Sequence, residues 1–164
     1  MITTTTARNV LALVVLASSV GCELAQPFEG PGFSLGEGLT TEAPGPFLAA
    51  TTHLTLKDGA GVQQRFDALM STMSDALPET TGLVGVSLAQ GTEGYRTLTV
   101  WEDEAAMLGW VTSPAHTDAM AAAPDLIDEG KTTHWTMTRD ELLAGPPSWD
   151  DAKARLEAQD ESAY

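Results

Sequence analysis

The chain has 164 residues, of which 43% are hydrophobic and 19% charged, and its formal net charge is −15. That length admits one ordinary domain with terminal extras and leaves too little chain for a second full core. Such acidity disfavours nucleic-acid phosphates as a partner, and any contact with anionic lipid has to come from something other than overall charge.

Residues 1–21 read as an export signal. Arg8 and the α-amine supply positive charge, and the apolar run from Val10 to Ala17 is too short to span a bilayer. Ser19, Val20 and Gly21 then precede Cys22, the only cysteine of the chain. This stretch resembles the lipobox of bacterial lipoproteins, which are cut before the cysteine and acylated on it; that family usually carries Leu where this chain has Ser19. The resemblance implies lipidation of Cys22, palmitate being one such acyl group, and a membrane-anchored protein of the cell envelope on its periplasmic or extracellular face. Ordinary secretory cleavage is the alternative. Two or more acyl chains anchor durably even with an acidic protein attached. A sole cysteine also excludes an internal disulfide or a CxxC redox pair.

Residues 22–46 are rich in Gly and Pro without apolar periodicity, and are expected to form a tether, with Phe28, Phe33 and Leu35 docking on the domain as the other reading. Order is expected from Phe47. Residues 47–57 alternate as a strand, with Leu48, Ala50, Thr52, Leu54 and Leu56 on one side. Val62, Phe66, Leu69, Met70, Met73 and Leu77 then form the stripe of a one-sided helix that Pro78 stops. Residues 82–90 predict a second strand, Gly91 to Gly94 a hairpin turn, and Tyr95 to Trp101 a third strand. Asp103 caps the next helix, which buries Trp110; Ser113 and Pro114 interrupt it and open a short turn carrying His116 and Met120 before Pro124. Lys131 to Thr138 is the last strand. In residues 141–164 a Ser148 cap suggests a short acidic surface helix, packed through Trp149 and Leu156 or left free.

This order predicts an α+β, ferredoxin-like βαββαβ domain over residues 47–140, a four-stranded antiparallel sheet with helices on one face. The helices are expected to cover Leu54, Leu56, Val84, Val86, Leu98, Val100, Trp135 and Met137. The opposite face would then hold His53, Thr55, Ser87, Tyr95, Thr97, Thr99, Trp101, His134 and Thr136. Exposed Tyr95 and Trp101 would call for a second copy, so a homodimer is expected.

TTHLTLKDGAGVQQRF and LTVWEDEAAMLGWVTSPAH resemble the first strand and helix start, and the strand with acidic helix start and buried Trp, of the antibiotic-biosynthesis monooxygenase superfamily. The resemblance spans about Phe47 to Arg139 and implies a dimeric α+β barrel with a pocket between sheet and helices. Some members oxidise polycyclic aromatics without metal or flavin; others bind haem. The haem-degrading branch uses an Asn on the first strand, a Trp on the second helix and a His ten residues later, positions that fall here on Thr52, Trp110 and Met120. Only the Trp matches, so the resemblance implies chemistry without a resident cofactor, haem being the lesser alternative.

Three histidines, His53, His116 and His134, form no metal-ligand spacing, and no metal is expected. The acids from Glu102 to Glu104 suit a helix start better than a catalytic dyad. Near a helix N-terminus His116 would stay neutral and could act as a base or as a ligand in place of Met120, against the plainer reading of a capping or surface histidine. Trp110 is explained by the core stripe as readily as by a ligand wall. Thr52, Trp110, His116 and Met120 form the candidate pocket, in which His116 takes a proton from a phenol-like substrate, Trp110 walls the ring and Thr52 orients an oxygen substituent. The expected function is cofactor-independent oxygenation of a small aromatic or apolar molecule; the competing reading is a non-catalytic ligand-binding or structural lipoprotein.

Overall fold

The computed structural model describes residues 24–92 and 94–159. The expected export signal and Cys22 lie outside them. A short arm comes first, with β1 (Leu24–Ala25), β2 (Phe33–Ser34) and β3 (Gly38–Leu39), followed by β4 (Phe47–Leu56), α1 (Val62–Ala76) and a 3-10 turn (Leu77–Glu79). β5 (Leu83–Gly91), β6 (Gly94–Trp101), α2 (Glu104–Val111), α3 (Pro114–Leu126) and β7 (Ile127–Met137) complete the core, and α4 (Arg139–Ala144) and α5 (Trp149–Glu157) close the chain. The main sheet runs β1-β5-β6-β4-β7 with every pairing antiparallel. Its four long strands, β5-β6-β4-β7, have the ferredoxin-like order, and α1 to α3 share one face as the split βαβ pattern requires.

Local signals place the helix starts. The Asp103 carboxylate accepts from the Ala106 N–H at 2.8 Å and opens α2. Ser113 accepts from the His116 N–H, with Pro114 as first helical residue, and opens α3. The expected short turn is instead a helix of 13 residues that carries Pro124 in its last turn. A capping box, in which Thr138 and Glu141 bind each other's backbone N–H, starts α4, a helix the apolar pattern did not disclose. The Glu141 carboxylate accepts from both the Thr138 N–H and the Thr138 hydroxyl, and these two hydrogen bonds hold its pKa below the usual range.

Pairing register corrects the expected faces. Leu48 stands opposite Trp101, Thr52 opposite Thr97 and Leu54 opposite Tyr95 across β4 and β6, and Leu48 and Ala50 stand opposite Thr136 and His134 of β7. Side chains directly opposite share a face, so Tyr95, Thr97, Thr99, Trp101, His134 and Thr136 lie on the helix side with Thr52 and Leu54. Leu98, Val100, Trp135 and Met137 take the other side, with His53 and Thr55. A bulge between Leu83 and Gly85 turns Val84 to that second side as well. His53 and His134 therefore lie on opposite faces and do not meet.

The second face is closed within the chain. Phe47, Ala49, Val84, Val100 and Met137 form one buried cluster with Phe28 and Phe33 from the arm and Leu142 from α4. Residues 24–46 are thus ordered where a tether was expected. Their backbone runs along the β5 edge through Leu24–Gln90, Ala25–Ala89 and Glu29–Val86 pairings, and Gly32 N–H donates to the Val84 carbonyl at 2.9 Å. Covering an edge strand in this way removes a template for unwanted pairing. Leu35, the third docking candidate, is 64% exposed. From the other terminus α5 buries Ala152, stacks Arg155 over Trp135 at 4.6 Å and lets Gln159 donate to Thr133 at 2.6 Å.

Candidate functional site

On the helix side Trp110 is buried in a cluster with Leu48, Leu77, Leu83 and Trp101, and Met73, Met107 and Ala115 pack around it. Trp101 donates its indole N–H to Thr99 at 3.0 Å, which fixes the ring beneath α2. The hollow expected beside Trp110 is therefore occupied largely by Trp110 itself and by Trp101, a residue the alternation pattern had placed on the wrong face.

His116 sits against this cluster. Its ring meets Trp110 edge to face, with centroids 5.7 Å apart. Its Nδ1 is buried and has no hydrogen-bond partner. Burial pushes the imidazole pKa below 6.5, and the nearby Val111 carbonyl opposes that only in part. His116 is thus a neutral base at physiological pH, held by Ser113 capping and ring packing, with a nitrogen whose hydrogen-bonding capacity is unspent.

Thr52 and Met120 do not join that pair. Thr52 lies four residues along β4 from Leu48, about 13 Å at the rise of a strand. Its hydroxyl is 3.0 Å from that of Thr132, and Thr132 donates to the Thr51 carbonyl at 2.9 Å. A hydroxyl has one proton, so Thr132 accepts from Thr52, and Thr52 keeps only acceptor capacity for anything else. Met120 is 45% exposed. Haem does not fit these residues: the thioether at the expected ligand position faces outward, and Trp110 fills the adjoining space. Among the described residues no group of three His, Cys, Asp or Glu side chains could hold a metal ion.

Two open clefts flank this end of the sheet. One, of about 570 Å³, is floored by Phe47 and Leu48 and rimmed by Pro46, Glu102, Glu104 and Thr136. Leu48 is shared between that floor and the Trp110 cluster. The second, of about 340 Å³, lies between β7 and α5 beside Trp135, Met137, Glu141 and Arg155. The acidic rim of the first repels anions, while the exposed Pro44 and Pro46 give it some apolar surface.

Residues 50–122 match the antibiotic biosynthesis monooxygenase family. Among solved structures, a Fusobacterium nucleatum protein provisionally assigned as a monooxygenase matches 76% of this chain and 54% of its own at 12% identity and a TM-score of 0.53, which shows a shared fold. SnoaB, a cofactor-independent oxygenase from Streptomyces nogalater, matches 58% of this chain and 96% of its own at 14% identity and a TM-score of 0.47. A dimeric Bacteroides fragilis protein with a ferredoxin-like fold matches 57% and 98% at 11% identity and a TM-score of 0.46. No curated protein matches the chain.

Proposed function

We propose that this is a lipid-anchored protein of the cell envelope whose monooxygenase-family domain binds a small, neutral, aromatic or apolar molecule and oxidises it with molecular oxygen, without a resident cofactor. The observation that carries the reading is the unpaired, buried Nδ1 of neutral His116 beside Trp110, within a domain of this family. In that reading His116 takes the proton of a phenolic hydroxyl, and the electron-rich phenolate is the species that reacts with oxygen. Anchoring is assigned to acylated Cys22.

Homodimerisation belongs to the same proposal. The arm and α5 occupy the second sheet face, so a second copy would meet α2, where Leu108 and Val111 are 48% and 38% exposed, or the outer strand β7. Sedimentation of the wild-type chain and a Leu108→Glu variant tests this, a dimer lost in the variant being the expected result.

The tight packing of Trp110 favours a second reading, a binding protein that keeps the fold without the chemistry. Oxygen uptake with a panel of aromatic hydroquinones separates the two. Uptake that disappears in His116→Ala supports oxygenation; quenching of tryptophan fluorescence by the same compounds without uptake supports binding alone.

A further inference from the structure

We infer that the end of the domain bearing the β5–β6 turn lies against a phospholipid bilayer, so that both clefts face the aqueous side. This orientation rests on the acylation of Cys22 proposed above. The geometry begins where the described chain begins. Leu24 pairs with Gln90 and Ala25 with Ala89, so the arm enters the sheet beside the β5–β6 turn. Only two peptide steps separate Cys22 from Leu24, a span of about 7 Å when extended. A tether running to residue 46 would let the domain tumble at a distance; an arm zipped onto β5 from Leu24 leaves it no such length.

The same end gathers the β4–α1 connection and the start of β7, since the Lys57 N–H donates to the Leu126 carbonyl and Leu56 pairs with Ile127. Charge follows the same axis. Lys57, Arg65, Arg96 and Lys131 lie toward this end, leaving Arg139, Lys153 and Arg155 as the other basic side chains of the described residues. Asp58, Asp67, Asp125, Asp128 and Glu129, with Glu93 in the turn sequence itself, outnumber them only slightly. At the opposite end Glu102, Asp103 and Glu104 line one cleft, and Glu141 and Asp151 line the other beside Arg155. An anionic surface therefore repels the far end more than the near one, and reinforces the orientation that the short connection imposes.

α2 follows Trp101 at the far end, and α3 returns from there to Leu126. His116, in the first turn of α3, and the floor residue Leu48 thus stand away from the bilayer. A ligand would reach them from water, and a lipid tail would not.

The test uses the full chain, extracted from membranes and reconstituted in phosphatidylcholine and phosphatidylglycerol vesicles that carry a headgroup spin label. Thr92→Cys and Leu143→Cys, at the near and far ends, each offer one free thiol for a fluorophore once Cys22 is acylated. The expected result is loss of most emission at position 92 and unchanged emission at position 143, with the difference erased by a flexible Gly/Ser spacer inserted between Cys22 and Leu24. Mass spectrometry of the same chain reads acylation independently. An unmodified Cys22 removes the anchoring reading and this orientation with it; an acylated chain quenched equally at both positions overturns the orientation alone.

Discussion

The Phe28 ring rests directly on Gly85: a Cβ built on that glycine would stand 2.5 Å from the ring edge. The absent side chain is what lets the arm sit flat on β5, and Phe28 packs edge to face on Phe33 with centroids 5.2 Å apart. Gly85→Ala is expected to cost about 1–3 kcal/mol by overpacking, and Phe28→Ala about 3–5 kcal/mol through the cavity it leaves. Because both act at one contact, the double variant should lose less than the sum. Urea denaturation of the four proteins measures this, and strict additivity would show that the two residues do not share a contact.

Burial lowers the His116 pKa, so the folded protein binds a proton there less readily than the unfolded chain. The stability this neutral ring contributes is fully present above the unfolded value near 6.5 and is lost as pH falls through the lower folded value. His116→Phe keeps a ring against Trp110 and removes the unpaired nitrogen, so it should equal or exceed the wild type in stability by about 1 kcal/mol. It should also flatten the acid limb of stability. Thermal melts from pH 7 down to pH 5 decide: an unchanged acid limb in the variant would mean that another group titrates there.

Activity, if the oxygenation reading holds, should fall on the acid side with a midpoint below 6.5, where His116 becomes protonated. Rates of oxygen uptake against pH provide the measurement. A midpoint above the ordinary histidine value would exclude this imidazole as the base.

Thr52 stands about 13 Å along β4 from Leu48 at the rise of a strand, away from the His116–Trp110 pair. Thr52→Val should therefore leave hydroquinone binding unchanged in tryptophan quenching titrations, and cost about 1 kcal/mol of stability through the lost hydrogen bond to Thr132. A loss of affinity in this variant would place Thr52 at the ligand.

The capping box at Thr138 secures the helix that delivers Leu142 to the second-face cluster. Thr138→Ala should cost about 1 kcal/mol, and Thr138→Ser should recover most of it. Chemical denaturation of the pair reads the cap directly; identical losses would place the effect in something other than the hydroxyl.

Element order was legible along the chain because it depends on local periodicity: the Phe66, Met73 and Leu77 stripe, the Asp103 and Ser113 caps, and the Gly91 to Gly94 turn each act within a few residues. The pairing of Trp110 with a nearby histidine was legible too, since only the short break at Ser113 separates the end of α2 from the start of α3. Which face each strand presents was not, because a side-chain period of two makes either assignment equally consistent until register is known, and one bulge at Val84 reverses it. The fate of the Gly- and Pro-rich arm was likewise decided by tertiary structure alone. Its own composition offers too little apolar surface to order it, yet Phe28 and Phe33 suffice once a sheet face and an unpaired β5 edge are there to receive them.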